Sequence, residues 1–129
     1  MMYAILCYHD EDTVGSWSKE HDAAVMKKLA VVQDKLAKQG RLGPVARLLP
    51  TTAATTLRKD DPPLVLDGPF AETKEQMGGI MIIEANDLNH AIQLMSKMPC
   101  MRMGGSIEIR PINEAIKFNT ENSRAVATA

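Results

Sequence analysis

The sequence predicts one α+β domain in which a strand, helix, strand unit occurs twice, and three observations carry that expectation. Residues 2–8 and 78–85 are short runs whose alternate positions are apolar at both parities, as in strands covered on two faces. Between 17 and 39, apolar side chains return every three or four residues, the period of a helix face. SIEIRPI, 106–112, alternates Ile107 and Ile109 with Glu108 and Arg110.

Composition agrees with a single packed core. The chain has 129 residues, 45% hydrophobic and 24% charged, with no repeat or low-complexity tract. Fifteen basic against sixteen acidic residues, and only 4% aromatics, give neither a phosphate-tracking groove nor a base-stacking platform. Nucleic acid is therefore not expected as a partner. Cys7 and Cys100 form no CxxC or zinc pattern and read as free thiols of a reducing cytosol. MMYAILCY is apolar, but it lacks a basic leader and meets HDED at once. No later apolar run approaches the ~20 residues that span a bilayer. A cytoplasmic protein without a membrane partner is expected.

Taken in order, Met2 to Tyr8 is the first strand, and HDEDTVGS breaks it. In the long helix Val25, Leu29, Val32 and Leu36 share a face with Met26 and Ala30 beside them. Ser16 or Ser18 caps its start, Glu20 and Asp22 suit the positive dipole end, Lys35 and Lys38 the other, and Gly40 gives the exit. A second strand follows near 41–48. TTAATTLRKD and PPLVLD then read as a hairpin around Asp60, Asp61 and Pro62. GGIMIIEA is a further two-sided strand, and NDLNHAIQLMSKMP a shorter helix with Leu88, Ala91, Ile92, Met95 and Met98 on one face, ended by Pro99. Residues 1–112 thus form the domain, and 113–129 have neither period and read as a loose or partner-docked tail.

This order is the ferredoxin-like βαββαβ plan with a hairpin inserted between its halves. Two helices cover one face of a four-stranded sheet. Met2, Ala4 and Leu6 oppose Tyr3, Ile5 and Cys7, and Met81 and Ile83 oppose Ile80 and Ile82, so an apolar second face remains. A second copy packed on that face, an isologous homodimer, is the expected cover.

DGPFAETKEQMGG, 67–79, holds a chain reversal, an aromatic residue, four charges and a glycine pair. Asp67 can bond backbone N–H groups of the turn, Gly68 and Pro69 set its dihedrals, and Phe70 is expected to anchor it by burial. Glu72, Lys74 and Glu75 are too polar for the core. They are either the solvated side of a rigid turn or, with Arg47 nearby, a grip on a small acidic molecule.

The DGPFAETKEQ string, with RLGPVARLLPTTAATTLRKDDPPLVL before it and SIEIRP after it, resembles the YCII-related family, in its DGPF branch, over 2 to about 112. The resemblance implies a dimeric α/β barrel without a cofactor. It also implies an acid/base pair of a first-helix histidine and an aspartate, as in some members of the wider family, one group of which resembles lyases. Here the histidine position falls near Leu29, and the aspartate position meets Lys97, Met98 and Pro99. His21 lies two turns earlier in a capped first turn. Asp67 and His21 are the candidate catalytic residues, and Phe70, Glu72, Lys74, Glu75 and Arg47 the candidate ligand-binding ones.

Other constellations read more simply. His9, Asp10, Glu11 and Asp12 are consecutive and cannot all converge on one ion, so no metal site is assigned. His90 lies off the apolar stripe and is expected to be exposed. MSKMPCMRMGG offers soft sulfur atoms, but Met95 and Met98 already belong to the helix stripe and read as core filler. Gly104 and Gly105 precede no helix, so no phosphate loop is indicated.

Two functions follow. One is a small-ligand-binding or regulatory accessory protein, which the resemblance links to sigma-factor-associated regulation. The other is a cofactor-independent lyase, isomerase or oxygenase-like enzyme acting on a small acidic compound. Both place the site in a cleft between the sheet, the long helix and the DGPF loop.

Overall fold

In the computed structural model, which describes residues 1–113, the chain runs β1 (Met2–His9), α1 (Glu11–Gly15), α2 (Lys19–Lys38), β2 (Leu42–Arg47), a 3₁₀ turn (Thr51–Ala53), β3 (Thr55–Arg58), β4 (Leu64–Asp67), β5 (Gln76–Glu84), α3 (Leu88–Met95), α4 (Pro99–Arg102) and β6 (Ser106–Pro111). Four strands make one sheet in the order β2-β5-β1-β6, every neighbour antiparallel. β3 and β4 form a separate two-stranded hairpin. The architecture is α+β, and its strand order is compatible with the ferredoxin-like plan. Of the expected tail, residues 114–129 lie outside the described residues.

Register explains which side chains reach the core. Tyr3 faces Ile83, and Ile5 faces both Met81 and Ile109, so these side chains share the helix-covered side. There they bury with Leu36, Ala91, Met95 and Met98, while Leu29, Val32 and Leu42 pack around them. Ala4 faces Ile82 and Leu6 faces Ile80 on the other side, which stays half-buried.

The helices begin where the sequence offers caps. Ser18 Oγ accepts the His21 N–H at 3.1 Å, so α2 is capped by Ser18 and not by Ser16. Asp87 caps α3 through the His90 N–H at 2.8 Å. Two short helices were not expected. Asp10 Oδ1 accepts the Asp12 N–H at 3.0 Å and starts α1 inside the charged stretch, and Pro99 opens α4 at a first-turn position.

Three expectations are corrected. The stripe on α3 is narrower than its spacing suggests: Ala91, Met95 and Met98 are buried, whereas Leu88 and Ile92 are 48% and 49% exposed. His90 is partly covered, its Nδ1 accepting the Asn86 N–H at 3.0 Å. Phe70 does not anchor its turn by burial; the ring is 75% exposed, with the Arg58 guanidinium 5.3 Å from its centroid.

Candidate functional site

A cavity of about 620 Å³ opens between the sheet, α2 and α4. Its floor is Val45, Ala46, Ile80 and Met81 of β2 and β5. One wall is Val25, Met26, Leu29 and Gln33 of α2, the other Met98, Pro99, Cys100 and Met103. Thr13, Val14 and Trp17, from α1 and the link to α2, stand at one side, with His9, Arg47, Lys74 and Glu75 bringing polar groups to the same space. A mostly apolar hollow with a few polar groups is the usual form of a small-molecule site.

A bulge aims His9. The pairing of β1 with β5 shifts between Cys7 and Tyr8: Cys7 faces Gly79, Tyr8 faces Met77, and Gly78 is the extra residue. The His9 ring lies directly over that bare glycine, where a Cβ would fall 1.8 Å from its Cε1. Any larger residue at 78 has to displace the imidazole.

The charges at this site differ in how far they are already matched. Arg47 donates two bonds to Asp22, at 2.7 and 3.1 Å, which tie β2 to the first turn of α2. The Arg47 guanidinium holds the Asp22 carboxyl below its ordinary range, and Asp22 in turn holds Arg47 up. Glu75 accepts from Ser106 Oγ at 3.1 and 3.3 Å. Lys74 makes no ion pair among the described residues and lines both this cavity and a shallower hollow beside it. It is the cation left available to a ligand.

Of the residues singled out from the sequence, Arg47, Lys74 and Glu75 come together at the cavity. Glu72 lines the shallower hollow with Asp10, Glu11, Asp12 and Pro69. There Glu11 is committed to Thr51, accepting its N–H at 2.8 Å and its hydroxyl at 2.6 Å. Asp67 ends β4 opposite Thr55 and lines neither space. The turn after it is held by other groups: Thr56 Oγ1 donates to the Gly68 carbonyl and the Gly68 N–H to the Ala54 carbonyl, both at 2.8 Å. His21 is exposed, its ring edge-on to Trp17 at 4.9 Å between centroids. Phe70 also lies outside the cavity.

His9, Trp17, Leu29 and the two cysteines are the cavity residues that sequence reasoning did not assemble. The only signal was the glycine pair 78–79, which announces a close approach without naming what approaches. The family resemblance puts its histidine near Leu29 and its aspartate at Lys97, Met98 and Pro99; of these, Leu29, Met98 and Pro99 line the cavity. Among the described residues no group of three or more His, Cys, Asp and Glu side chains is arranged to hold a metal ion, and no helix is long and apolar enough to cross a membrane.

Comparison with known proteins supports the motif-based resemblance. A protein of Rhizobium meliloti (strain 1021), named "Uncharacterized protein R00369", is 48% identical over 114 residues, covering 87% of this chain and 92% of the relative. The family model of the YCII-related domain matches residues 1–116, a span that takes in both helical units, the hairpin and the cavity. The chain belongs to the YCII-related family.

Proposed function

We propose that this protein binds a small organic acid in the cavity between α2 and the sheet, with its apolar part against Val45, Met81 and Leu29 and its carboxylate on Lys74. The observation that carries this reading is the pairing of an apolar hollow of ligand size with one unmatched ammonium at its edge. Neither a histidine nor an aspartate stands where the family resemblance expects an acid/base pair, which favours binding over lyase-type chemistry. A second copy packed on the half-buried face that carries Ala4, Leu6, Ile80 and Ile82 completes the proposed assembly, a dimeric barrel. A regulatory or accessory role fits a protein built to hold such a ligand.

Trp17, the single tryptophan of the chain, lines the cavity and supplies the test. Octanoate is expected to alter its emission saturably, octanol to bind on the order of ten-fold more weakly, and octylamine more weakly still. Lys74→Met should erase the preference of octanoate over octanol. Equal response to all three probes, or none, would overturn the proposal.

A second reading, a cofactor-independent enzyme, is favoured by one observation: His9 is held over Gly78 inside the cavity, where an imidazole can exchange a proton with a bound acid. Deuterium exchange at the α-carbon of a bound keto acid, lost in His9→Gln, would support it.

A further inference from the structure

The cavity's walls are uneven in chemistry, and the unevenness bears on what kind of acid they fit. Four of the nine methionines line the hollow: Met26 from α2, Met81 from the floor, and Met98 and Met103 from the opposite wall. Thioethers thus stand on three of its sides. Among the described residues Trp17 is the only Trp, Tyr or Phe in the lining, so few protein rings meet these methionines there.

Aliphatic neighbours such as Val25, Leu29 and Val45 offer contact area to any hydrocarbon. A methionine is more selective. Its polarisable sulfur is attracted to an aromatic ring beyond what area alone gives, and its unbranched chain adapts to the ring's outline. Trp17 suits the same occupant. The His21 ring packs edge-on against the indole, 4.9 Å between centroids and 78° between planes, which restricts how the indole turns, and a flat ligand beside it gains an aromatic pair.

Shape and size agree. On β5, Gly79 lies two residues before Met81 and so shares its face, and the missing side chain leaves that part of the floor flat. A Cβ on Gly79 would come near only the Ala46 carbonyl oxygen, at 3.3 Å, so the space above it is open. About 620 Å³ is the room that encloses a drug-sized ligand, and two fused rings occupy it better than one short chain.

Taking the cavity to be an acid site, as in the reading above, we propose that its ligand is an aromatic acid: a fused-ring carboxylate whose rings lie over Gly79 among the four methionines, beside Trp17, with the carboxylate on Lys74. The ring system is then held by sulfur and indole, and the charge by the ammonium.

Calorimetry on the full chain tests this with three acids: octanoate, 2-naphthylacetate, and the fully saturated decahydro form of the latter. Burial alone favours the saturated bicycle, which has more apolar surface. The naphthyl acid is nevertheless expected to bind about ten-fold more tightly than its saturated form. In NMR spectra its ring current should displace the methyl resonances of Met26, Met81, Met98 and Met103 well beyond the shifts that octanoate produces. Met26→Leu and Met103→Leu keep the bulk and remove the sulfur, so each should cut the ratio of the two bicyclic affinities about three-fold. The wild-type ratio needs no variant to fold. If octanoate binds while the saturated bicycle equals or exceeds the naphthyl acid, the aromatic assignment is overturned and acid binding stands. If none of the three binds, acid binding falls and the aromatic assignment falls with it.

Discussion

The DGPF corner and the cavity end of the sheet lie within a few residues of each other in sequence, yet they are built on opposite terms. The corner is spelled out as one continuous string, and its first side chains face outward: Asp67 is exposed, and Phe70 is largely so. The cavity is not spelled out anywhere. It draws His9 from β1, Trp17 from the link before α2, Leu29 from α2, Lys74 from the loop and Cys100 from α4. A contiguous motif is easy to read because the turn it encodes is local. A cavity assembled by sheet register and helix packing is not local, and the most specific string in the chain supplies only Lys74 and Glu75 to it.

Stability should separate the two regions most strongly. Met81 is 2% exposed and packs in the core under the cavity, so Met81→Ala should cost about 3 kcal/mol in denaturant unfolding. Phe70→Ala, which removes an exposed ring and its contact with Arg58, should cost about 0.5 kcal/mol. A loss for Phe70→Ala as large as that for Met81→Ala would mean that a second copy covers the ring, and the contrast would then belong to the single chain alone.

Gly78→Ala sharpens the comparison at the join between the regions. The added methyl meets the His9 ring, the mobile end of a side chain, so the expected cost is about 1 kcal/mol, with the His9 resonances displaced in NMR spectra. Combining it with His9→Ala should recover most of that loss. Additive losses would show that the ring does not sit over the glycine.

Asp67→Asn should change stability by less than about 0.5 kcal/mol and leave octanoate binding unchanged, because Thr56 and the Gly68 N–H hold the turn. Lost octanoate binding with an intact fold would return the functional role to the corner. The smallest effect concerns Asp22. Arg47 lowers its folded pKa below the unfolded value of 3.8, so its contribution is present above that value and is lost as pH falls through the lower folded one. Acid unfolding curves of wild type and Arg47→Met should therefore separate above pH 3.8 and converge as pH falls below it.

How much was legible follows the same division. Strands and the long helix were readable because residues such as Tyr3, Ile5, Val25 and Leu36 repeat at the periods of their elements, and the element order followed from them. α1 escaped because five residues carry too little period to see, although Asp10 before Glu11 and Asp12 was a capping signal. The width of the α3 stripe was overestimated because spacing gives a face but not the extent of its cover. Lys74, Glu75 and Arg47 were found as candidate ligand groups because they are charges on or near a glycine-rich loop. His9 was set aside with its acidic neighbours, since the bulge that turns it inward is a property of pairing with β5. Cys7 and Cys100, 93 positions apart, come to the wall of one cavity only through the fold.

Methionine methyl NMR during an octanoate titration tests the central claim most directly, that the binding site is the cavity and not the DGPF corner. The chain has nine methionines, of which Met26, Met81, Met98 and Met103 line the cavity. Saturable shifts are expected at those four methyls while Met1, Met2 and Met77 stay in place. Shifts concentrated at Met77, next to the DGPF loop, with the cavity methyls unmoved would contradict it.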